Sequence, residues 1–424
     1  MIRIYRYGEV SAAQIFARAQ MGDNVTETVH QIIEEVRARG DAALLEYTRR
    51  FDGVDLSSLR VDETEIMAGW GSDPAFTEIL EQAAENIRAF HEKQVRNSFI
   101  IADKPGVVMG QKVIPIARVG LYVPGGTAAY PSTVLMDAIP AKIAGCQKLV
   151  MVTPPGKDGR VNPAILAAAK VAGVDEIYKI GGAQAIAALA YGTQSVPQVD
   201  KIVGPGNAFV AEAKRQVYGQ VAIDMIAGPS EILIVADGSC SARNLAADLL
   251  SQAEHDKNAS AVLVTDSETL AQAVAEELEV QLQKLAREEI ARTSIENNGK
   301  IILTSDLNQA IAIANEIAPE HLELCVDDPF AYLDRIVNAG SVFMGKYCPE
   351  ALGDYLAGPN HTPPTSGTAR FSSPLSVDDF VKKTQYTYYT KQALGKVANQ
   401  VATFATKEGL GAHARSALVR LEEE

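Results

Sequence analysis

The stretch Arg118-Val-Gly-Leu-Tyr-Val123, followed by Pro124-Gly-Gly-Thr127, decides the fold. Its apolar, β-branched and aromatic residues predict a buried strand, and the proline and glycines predict a tight loop. A helix is expected over residues 132–145 despite Pro140, and the next strand over residues 148–153. Because strands that alternate with helices form parallel sheets with right-handed crossovers, this stretch predicts an α/β protein.

The same unit recurs along the chain, and two of its strand–glycine–helix junctions look alike. They are Lys179-Ile-Gly-Gly-Ala-Gln-Ala185 and Lys201-Ile-Val-Gly-Pro-Gly-Asn207. Glycine-rich turns at helix N-termini suit phosphate, because free amides and the helix dipole face the anion. Neither junction is a complete dinucleotide fingerprint, since Phe209 stands where a third glycine belongs. Plain loop geometry therefore stays open as the alternative.

A second block of alternating strands and helices runs over residues 261–344 and predicts a second α/β domain. The chain is thereby divided into four parts: a helical N-terminal segment over residues 1–105, α/β domains over 106–237 and 238–379, and a helical tail over 380–424. The tail lies beyond a finished domain and carries few apolar anchors, so we expect it to pack on a second subunit.

Composition excludes several classes of function. A chain of 424 residues that is 47% hydrophobic is long enough for two or three globular domains. Its net charge of −14 disfavours nucleic acid and anionic membranes as partners. We expect no membrane span and no signal peptide. The four scattered cysteines form no CxxC pair and predict a reducing, cytoplasmic setting: Cys146, Cys240, Cys325 and Cys348.

The run Ser251-Gln-Ala-Glu-His255 closes a helix that is predicted to begin after Ser241. Gln252 and His255 are three residues apart and are expected to share a helical face beside the apolar stripe. An amide and an imidazole at the edge of a core form half of a metal site. A polar helix end with no function is the alternative.

Two further polar stretches favour chemistry. Glu320 and His321 follow a helix that ends at a proline, and we expect them in an irregular corner, where catalytic groups concentrate. A carboxylate beside an imidazole can supply two bases of different pKa. Residues 352–365, with Asp354 and His361, are expected to form a long ordered loop. Four of the six histidines fall in polar clusters: His255, His321, His361 and His413.

Five strings of the sequence resemble the histidinol dehydrogenase family. They are Ser251-Gln-Ala-Glu-His255, Ala318-Pro-Glu-His-Leu-Glu323, Gly353-Asp-Tyr-Leu-Ala-Gly-Pro-Asn-His361, Gly367-Thr-Ala-Arg-Phe371 and Gly204-Pro-Gly-Asn-Ala-Phe-Val210. The likeness extends from about residue 25 to about residue 415. It implies a zinc-dependent homodimer with two incomplete Rossmann-like domains and a tail swapped onto the partner. The implied activity is oxidation of L-histidinol through L-histidinal to L-histidine with two NAD, the last steps of histidine biosynthesis.

The resemblance also implies a role for each matching residue. The zinc ligands would be Gln252, His255 and Asp354, with His413 from the partner's tail. The acid–base pair would be Glu320 and His321. L-histidinol would be held by the zinc ligands, by His321 and by Ser230, His361 and Glu408. NAD would contact Tyr122, Gln184 and Asn207.

Three other functions are compatible with parts of this pattern. A related zinc- and NAD-dependent dehydrogenase could act on an amino-free alcohol such as a sulfonated diol, and Glu408 would discriminate between the two. A zinc hydrolase could use Glu320 beside a metal to activate water without NAD. A structural protein held together by a metal is the third alternative, in which loss of His413 would affect assembly alone.

Overall fold

The computed structural model describes residues 2–18, 25–125 and 129–422. Its strands are β1 Arg3–Arg6, β2 Phe99–Ile101, β3 Val107–Pro115, β4 Arg118–Tyr122, β5 Lys148–Thr153, β6 Glu176–Lys179, β7 Lys201–Val203, β8 Ala222–Ile223, β9 Glu231–Ala236, β10 Ser260–Thr265, β11 Lys300–Leu303, β12 His321–Cys325, β13 Ser341–Met344 and β14 Val381–Tyr389. Part of the predicted loop at 124–127, namely Gly126 and Thr127, lies outside the described residues.

The helices alternate with these strands over most of the chain. They are α1 Ala12–Ile15, α2 Thr26–Arg39, α3 Asp41–Tyr47, α4 Glu63–Trp70, α5 Pro74–His91, α6 Pro131–Ala144, α7 Pro163–Ala172, α8 Gly182–Tyr191, α9 Ala208–Val217, α10 Ala242–Ala253, α11 Glu268–Leu282, α12 Glu288–Asn297, α13 Leu307–Ile317, α14 Phe330–Leu333, α15 Glu350–Tyr355, α16 Lys391–Gly395, α17 Ala398–Lys407 and α18 Gly411–Leu418. Helix α6 continues through Pro140, as the sequence predicts.

A parallel sheet of five strands has the order β6-β5-β4-β7-β8. Successive residues of β5 point to opposite faces: Leu149 and Met151 pack with α6 and α7, whereas Val150 and Val152 pack with α2 and α8. Because helices cover both faces, the strands are continuously apolar rather than alternating.

A second parallel sheet has six strands in the order β1-β11-β10-β9-β12-β13. In its central strand β9, Ile232 and Ile234 pack with α10 and α11, and Leu233 and Val235 pack with α13. Strand β9 pairs directly with β12, with His321 opposite Ile232. The predicted α/β class with two parallel sheets is confirmed.

Both parallel sheets belong to one compact unit, formed by Met1–Gln94 and Ile116–Phe380. A second unit consists of Val95–Pro115 and Val381–Glu424. It contains an antiparallel sheet in the order β14-β3-β2 and the helices α16, α17 and α18. None of the described helices is both long and apolar enough to cross a lipid bilayer.

The structure differs from the sequence-based expectations at several elements. Strands β1 and β2 lie within the segment predicted as helical. Strand β1 pairs with β11 and forms hydrogen bonds with backbone N–H and C=O groups of β11 that would otherwise be unpaired. Strand β9 belongs to the second sheet, so the change of sheet comes before Glu231 rather than at residue 238. The tail begins with the nine-residue strand β14.

Candidate active site

Glu320 and His321 stand at the amino end of strand β12, which lies between β9 and the edge strand β13 of the six-stranded sheet. Ala318 ends helix α13 in the left-handed conformation, with φ of 51°, and Pro319 separates it from Glu320. Both side chains are buried. The expectation of an irregular corner is met for Glu320 but is wrong for His321, because His321 is the first residue of the strand.

The backbone of Glu231, the first residue of β9, holds both side chains. Its N–H donates to Glu320 Oε2 at 2.8 Å, and its carbonyl oxygen lies 3.0 Å from His321 Nδ1. Because a carbonyl can only accept, Nδ1 carries the hydrogen in this bond, and Nε2 of the neutral ring is left as the proton acceptor. Direct pairing of β9 with β12 therefore fixes both side chains and the tautomer of His321.

Burial sets the protonation states of this pair. It lowers the pKa of His321 to about 4, so the imidazole is neutral at pH 7. Burial also raises the pKa of Glu320 well above its usual range, and the negative charges of neighbouring carboxylates act in the same direction. Two titratable groups with opposite shifts are typical of an acid–base site.

A second polar cluster faces the pair from helix α15. Three side chains could hold a metal ion together: His321, Glu350 and Asp354. Each offers one ligand atom, and these atoms lie within 4.8 Å of one another. His361 Nδ1 lies 3.4 Å from Asp354 Oδ1. Burial raises the pKa of Asp354, but the hydrogen bond and charge of His361 outweigh it, so the net pKa is lowered. Burial and the charge of Asp354 raise the pKa of Glu350 to about 9.

Gln252 and His255 approach this cluster from helix α10. Gln252 lies in its last turn and is buried, and His255 lies in a turn just after the helix ends. The expectation that Gln252 and His255 share one helical face is not met, because the helix ends between them. The backbone N–H of His255 donates to the carbonyl oxygen of Gln252 at 3.2 Å. The expected long loop 352–365 also differs, because Asp354 lies in helix α15.

A cavity of about 570 Å³ brings most of the predicted site residues together. Eight of them line it: Asn207, Ser230, Gln252, His255, Glu320, His321, Asp354 and His361. The amino ends of β9 and β12 meet the cavity from one side, and the segment after β7 meets it from another. A volume of this size accommodates a small polar substrate together with part of a larger cofactor.

An unpartnered carboxylate oxygen in the cavity wall fits a metal ion. Glu350 Oε1 is buried without a hydrogen-bond partner among the described residues. Unsatisfied buried polar groups are costly, and a metal or its bound water relieves that cost. Imidazole nitrogens together with carboxylate and amide oxygens form a donor set that zinc accepts.

The predicted NAD contacts lie at the carboxyl ends of the five-stranded sheet. Tyr122 ends β4, and its hydroxyl accepts a hydrogen bond from the Gly182 N–H at 3.1 Å; burial raises the pKa of Tyr122 to about 12. Gln184 lies in the first turn of α8 and is buried. Asn207 is the N-cap of α9, and its side chain accepts two backbone N–H groups. Tyr122 and Gln184 are not among the cavity-lining residues.

Glu408 and His413 lie in the second unit, where both side chains are exposed. Glu408 follows helix α17, and His413 lies in helix α18.

Comparison with known proteins identifies the family. The histidinol dehydrogenase family model matches residues 17–421. A histidinol dehydrogenase from Clostridium acetobutylicum is 54% identical over 428 residues, covering 100% of this chain and 99% of its own. One from Bacillus cereus is 56% identical over 403 residues, covering 95% and 94%. The crystal structure of the Elizabethkingia anophelis histidinol dehydrogenase is 39% identical, with a TM-score of 0.94 and coverage of 99% and 98%.

The chain belongs to the histidinol dehydrogenase family. As a member of this family it is an NAD-dependent oxidoreductase of histidine biosynthesis. The resemblance carried by the five sequence strings is thereby confirmed. The alternatives, a dehydrogenase of a sulfonated diol, a hydrolase and a structural protein, find no support in these matches.

Two residues that help to build this candidate site are absent from the sequence-based prediction. Glu231 acts through its backbone, so its side chain carries no signal for the role. Glu350 lies four residues before Asp354 and therefore on the same face of α15. Its signal was available, because Pro349 precedes it in the manner of a helix start, but residues 352–365 suggested a loop instead.

Proposed function

We propose that this chain oxidises L-histidinol to L-histidinal and then to L-histidine, reducing one NAD in each step. One observation carries the proposal: Glu320 and His321 are held by the same backbone residue, Glu231, in the wall of a cavity of about 570 Å³. A neutral imidazole beside a carboxyl group of raised pKa suits two successive proton abstractions.

We further propose that zinc is held by Gln252, His255 and Asp354 and by His413 of the partner subunit. The first three line the cavity, and the unpartnered carboxylate oxygen of Glu350 favours an ion there. The exposed position of His413 makes it available to a second copy of the chain. When bound, zinc supplies a Lewis acid that orients the amino alcohol and polarises its hydroxyl group.

In the first oxidation, His321 Nε2 accepts the proton of the substrate hydroxyl group. The carbinol carbon loses a hydride at the same time, and NAD is the acceptor of that electron pair. The product is the aldehyde, and the proton remains on His321. The Nδ1 bond to the Glu231 carbonyl keeps Nε2 directed at the cavity throughout this step.

In the second oxidation, the aldehyde first adds water. Glu320 removes a proton from that water, and its raised pKa makes its carboxylate a stronger base. The resulting hydrate then gives up its hydroxyl proton to His321, which has released its first proton, and a second NAD takes the hydride. Water supplies the additional oxygen of the carboxylate product, so atoms and electrons balance.

The remaining contacts follow from where the residues lie. Ser230 and His361 line the cavity and are proposed to bind the substrate, together with Glu408 from the second unit of the partner subunit. Tyr122, Gln184 and Asn207 are proposed to bind NAD, since helix N-termini at the carboxyl ends of parallel strands attract phosphate.

These contacts require a homodimer. A cytoplasmic location is favoured because all four cysteines are free thiols.

The test is to supply purified protein with L-histidinol and NAD and to count NADH formed per histidinol consumed. Two NADH per substrate are expected, and activity should fall when a chelator removes the metal and return when zinc is added. One NADH per substrate would contradict the second oxidation. Full activity in protein shown by elemental analysis to be metal-free would contradict the zinc site.

A further inference from the structure

We propose that Arg18 is a positioning residue for the Glu320–His321 pair and acts on both through Glu231. The inference rests on the proposed function of that pair. Arg18 follows the short helix α1 and lies more than 200 residues from every segment that it contacts. It is a feature of the N-terminal segment that neither the sequence motifs nor the family resemblance singles out.

Arg18 joins the two segments that flank the acid–base pair. Its Nη1 donates to the carboxylate of Glu231, the residue whose backbone holds Glu320 and His321. Its Nη2 donates to the carbonyl of Ile317, the last residue of α13. One guanidinium thus connects the start of β9 to the turn that leads into β12. A planar guanidinium with several donors suits such a bridge, and an ammonium group does not.

The position of Arg18 is itself fixed. Lys300 Nζ donates to the carbonyl oxygens of Ile15 at 3.2 Å and of Ala17 at 2.7 Å, and Ile15 is buried in the core. A Cβ atom added at Gly367 would lie only 3.2 Å from Arg18 Nη2, so the guanidinium packs closely against that backbone. Anchors on three sides leave Arg18 little freedom to move away from Glu231.

The ion pair between Arg18 and Glu231 is sheltered from water. Only 28% of the Arg18 side chain and 11% of the Glu231 side chain are exposed. Removing the guanidinium would leave the Glu231 carboxylate, at the start of β9, without its counter-charge. Either protonation of Glu231 or a shift of its backbone would lower the energetic cost of that unpaired charge. A shift of the Glu231 backbone moves both hydrogen bonds to the catalytic pair, so both oxidations should slow together.

The experiment measures NADH formation from L-histidinol and from L-histidinal for wild type and for Arg18→Met. Displacement of a catalytic group by about 1 Å can lower a rate by about 100-fold. We therefore expect kcat to fall by about 10- to 100-fold for both substrates. KM for histidinol and the bound zinc content should stay within about threefold of wild type, because Arg18 contacts no proposed ligand or substrate residue.

Two matched variants separate positioning from a general loss of stability. Arg6→Met breaks an exposed ion pair with Glu268 in the same N-terminal segment, and its kcat should remain at the wild-type value. Glu231→Gln removes the charge pair while retaining the backbone, and it remains informative if Arg18→Met fails to fold. The double variant Arg18→Met/Glu231→Gln should be no slower than the slower single variant, since both changes break the same link.

The tautomer of His321 gives a readout that does not depend on turnover. With only six histidines in the chain, ¹⁵N labelling of histidine can resolve the His321 ring. Wild type should show a hydrogen fixed on Nδ1, and Arg18→Met should show a mixture of tautomers. A wild type that forms no NADH would overturn the proposed function itself. An active wild type with kcat of Arg18→Met within twofold, or multiplicative losses in the double variant, would overturn only the role of Arg18.

Discussion

Replacing Lys214 with methionine should destabilise the protein through a buried ion pair beside the proposed NAD site. Lys214 on helix α9 pairs with Asp224, and each side chain is only 2% exposed. The pair also holds Gly204 by both of its backbone polar groups: Lys214 Nζ donates to the carbonyl at 3.0 Å, and the Gly204 N–H donates to Asp224 Oδ2 at 2.8 Å.

The expected magnitude follows from the carboxyl group that loses its partner. Lys214→Met leaves the buried Asp224 side chain without its counter-charge, next to the buried carboxyl group of Asp137, whose pKa is raised well above its usual range by burial and then by Asp224. Breaking one partner of a buried pair costs about 3–5 kcal/mol. Against a total stability of about 5–15 kcal/mol, this is a large fraction.

Urea unfolding measures this loss, with the fluorescence of the single tryptophan, Trp70 on α4, and circular dichroism as probes. Lys142→Met is the matched control, because Lys142 pairs with Asp175 in a partly exposed ion pair at 2.9 Å. Its free energy of unfolding should change by less than about 1 kcal/mol.

The variant Lys214→Met/Asp224→Asn removes both charges and retains an acceptor for Gly204. It should therefore be more stable than Lys214→Met alone. A loss below about 1 kcal/mol in Lys214→Met, or a double variant that is less stable than the single one, would refute this argument. In folded Lys214→Met, KM for NAD should rise more than kcat falls, because Gly204 leads into Asn207.

Three further predictions concern the acid–base pair and helix α15. Glu320→Gln should slow oxidation of the aldehyde by about 10²–10⁴-fold and oxidation of the alcohol by less, and equal losses from the two substrates would contradict the division of roles. Because burial lowers the pKa of His321 to about 4, the neutral form of its ring persists down to about pH 5. The ¹⁵N resonances of His321 should therefore stay constant from pH 8 to 5.5, and a titration near pH 6.5 would contradict this. Gly353→Ala places a Cβ atom 2.4 Å from Phe343 Cε1, so it should displace helix α15 and Asp354 with it, at a cost of about 1–3 kcal/mol of stability. Zinc binding, measured by competition with a chelator, should weaken, and unchanged binding would contradict this.

Much of the architecture could be predicted from the sequence because its signals are local. The apolar runs of β4 and β5 and the glycines after β6 and β7 each lie within a few residues. The nine residues of β14 also carried such a signal, since Thr384, Tyr386 and Tyr388 alternate with other residues in the manner of a strand. The helical pattern that follows β14 outweighs this signal and predicts a helical tail from residue 380.

Other features depend on partners far along the chain and have no local signal. Strand β1 has only four residues, and its strand conformation depends on pairing with β11, about 300 residues away. Likewise, Pro319 after the preceding helix predicts an irregular corner for His321, but pairing of β12 with β9 makes His321 the first residue of a strand. The role of the Glu231 backbone could not be predicted, because any residue at that position offers the same N–H and C=O.

The five-stranded sheet meets the cavity at the carboxyl end of a strand, and the six-stranded sheet meets it at the amino ends of β9 and β12. This difference predicts where NAD and the metal bind. Helices α8 and α9 begin at the carboxyl ends of the five-stranded sheet, so their N-termini present positive partial charge and free N–H groups that suit the phosphates of NAD. Helices α10 and α13 instead end at the cavity, α10 beside Gln252 and α13 just before Glu320, and helix C-termini favour cations. We therefore expect the dinucleotide to bind on the first sheet and the metal on the second, with the reacting carbon between them and next to His321.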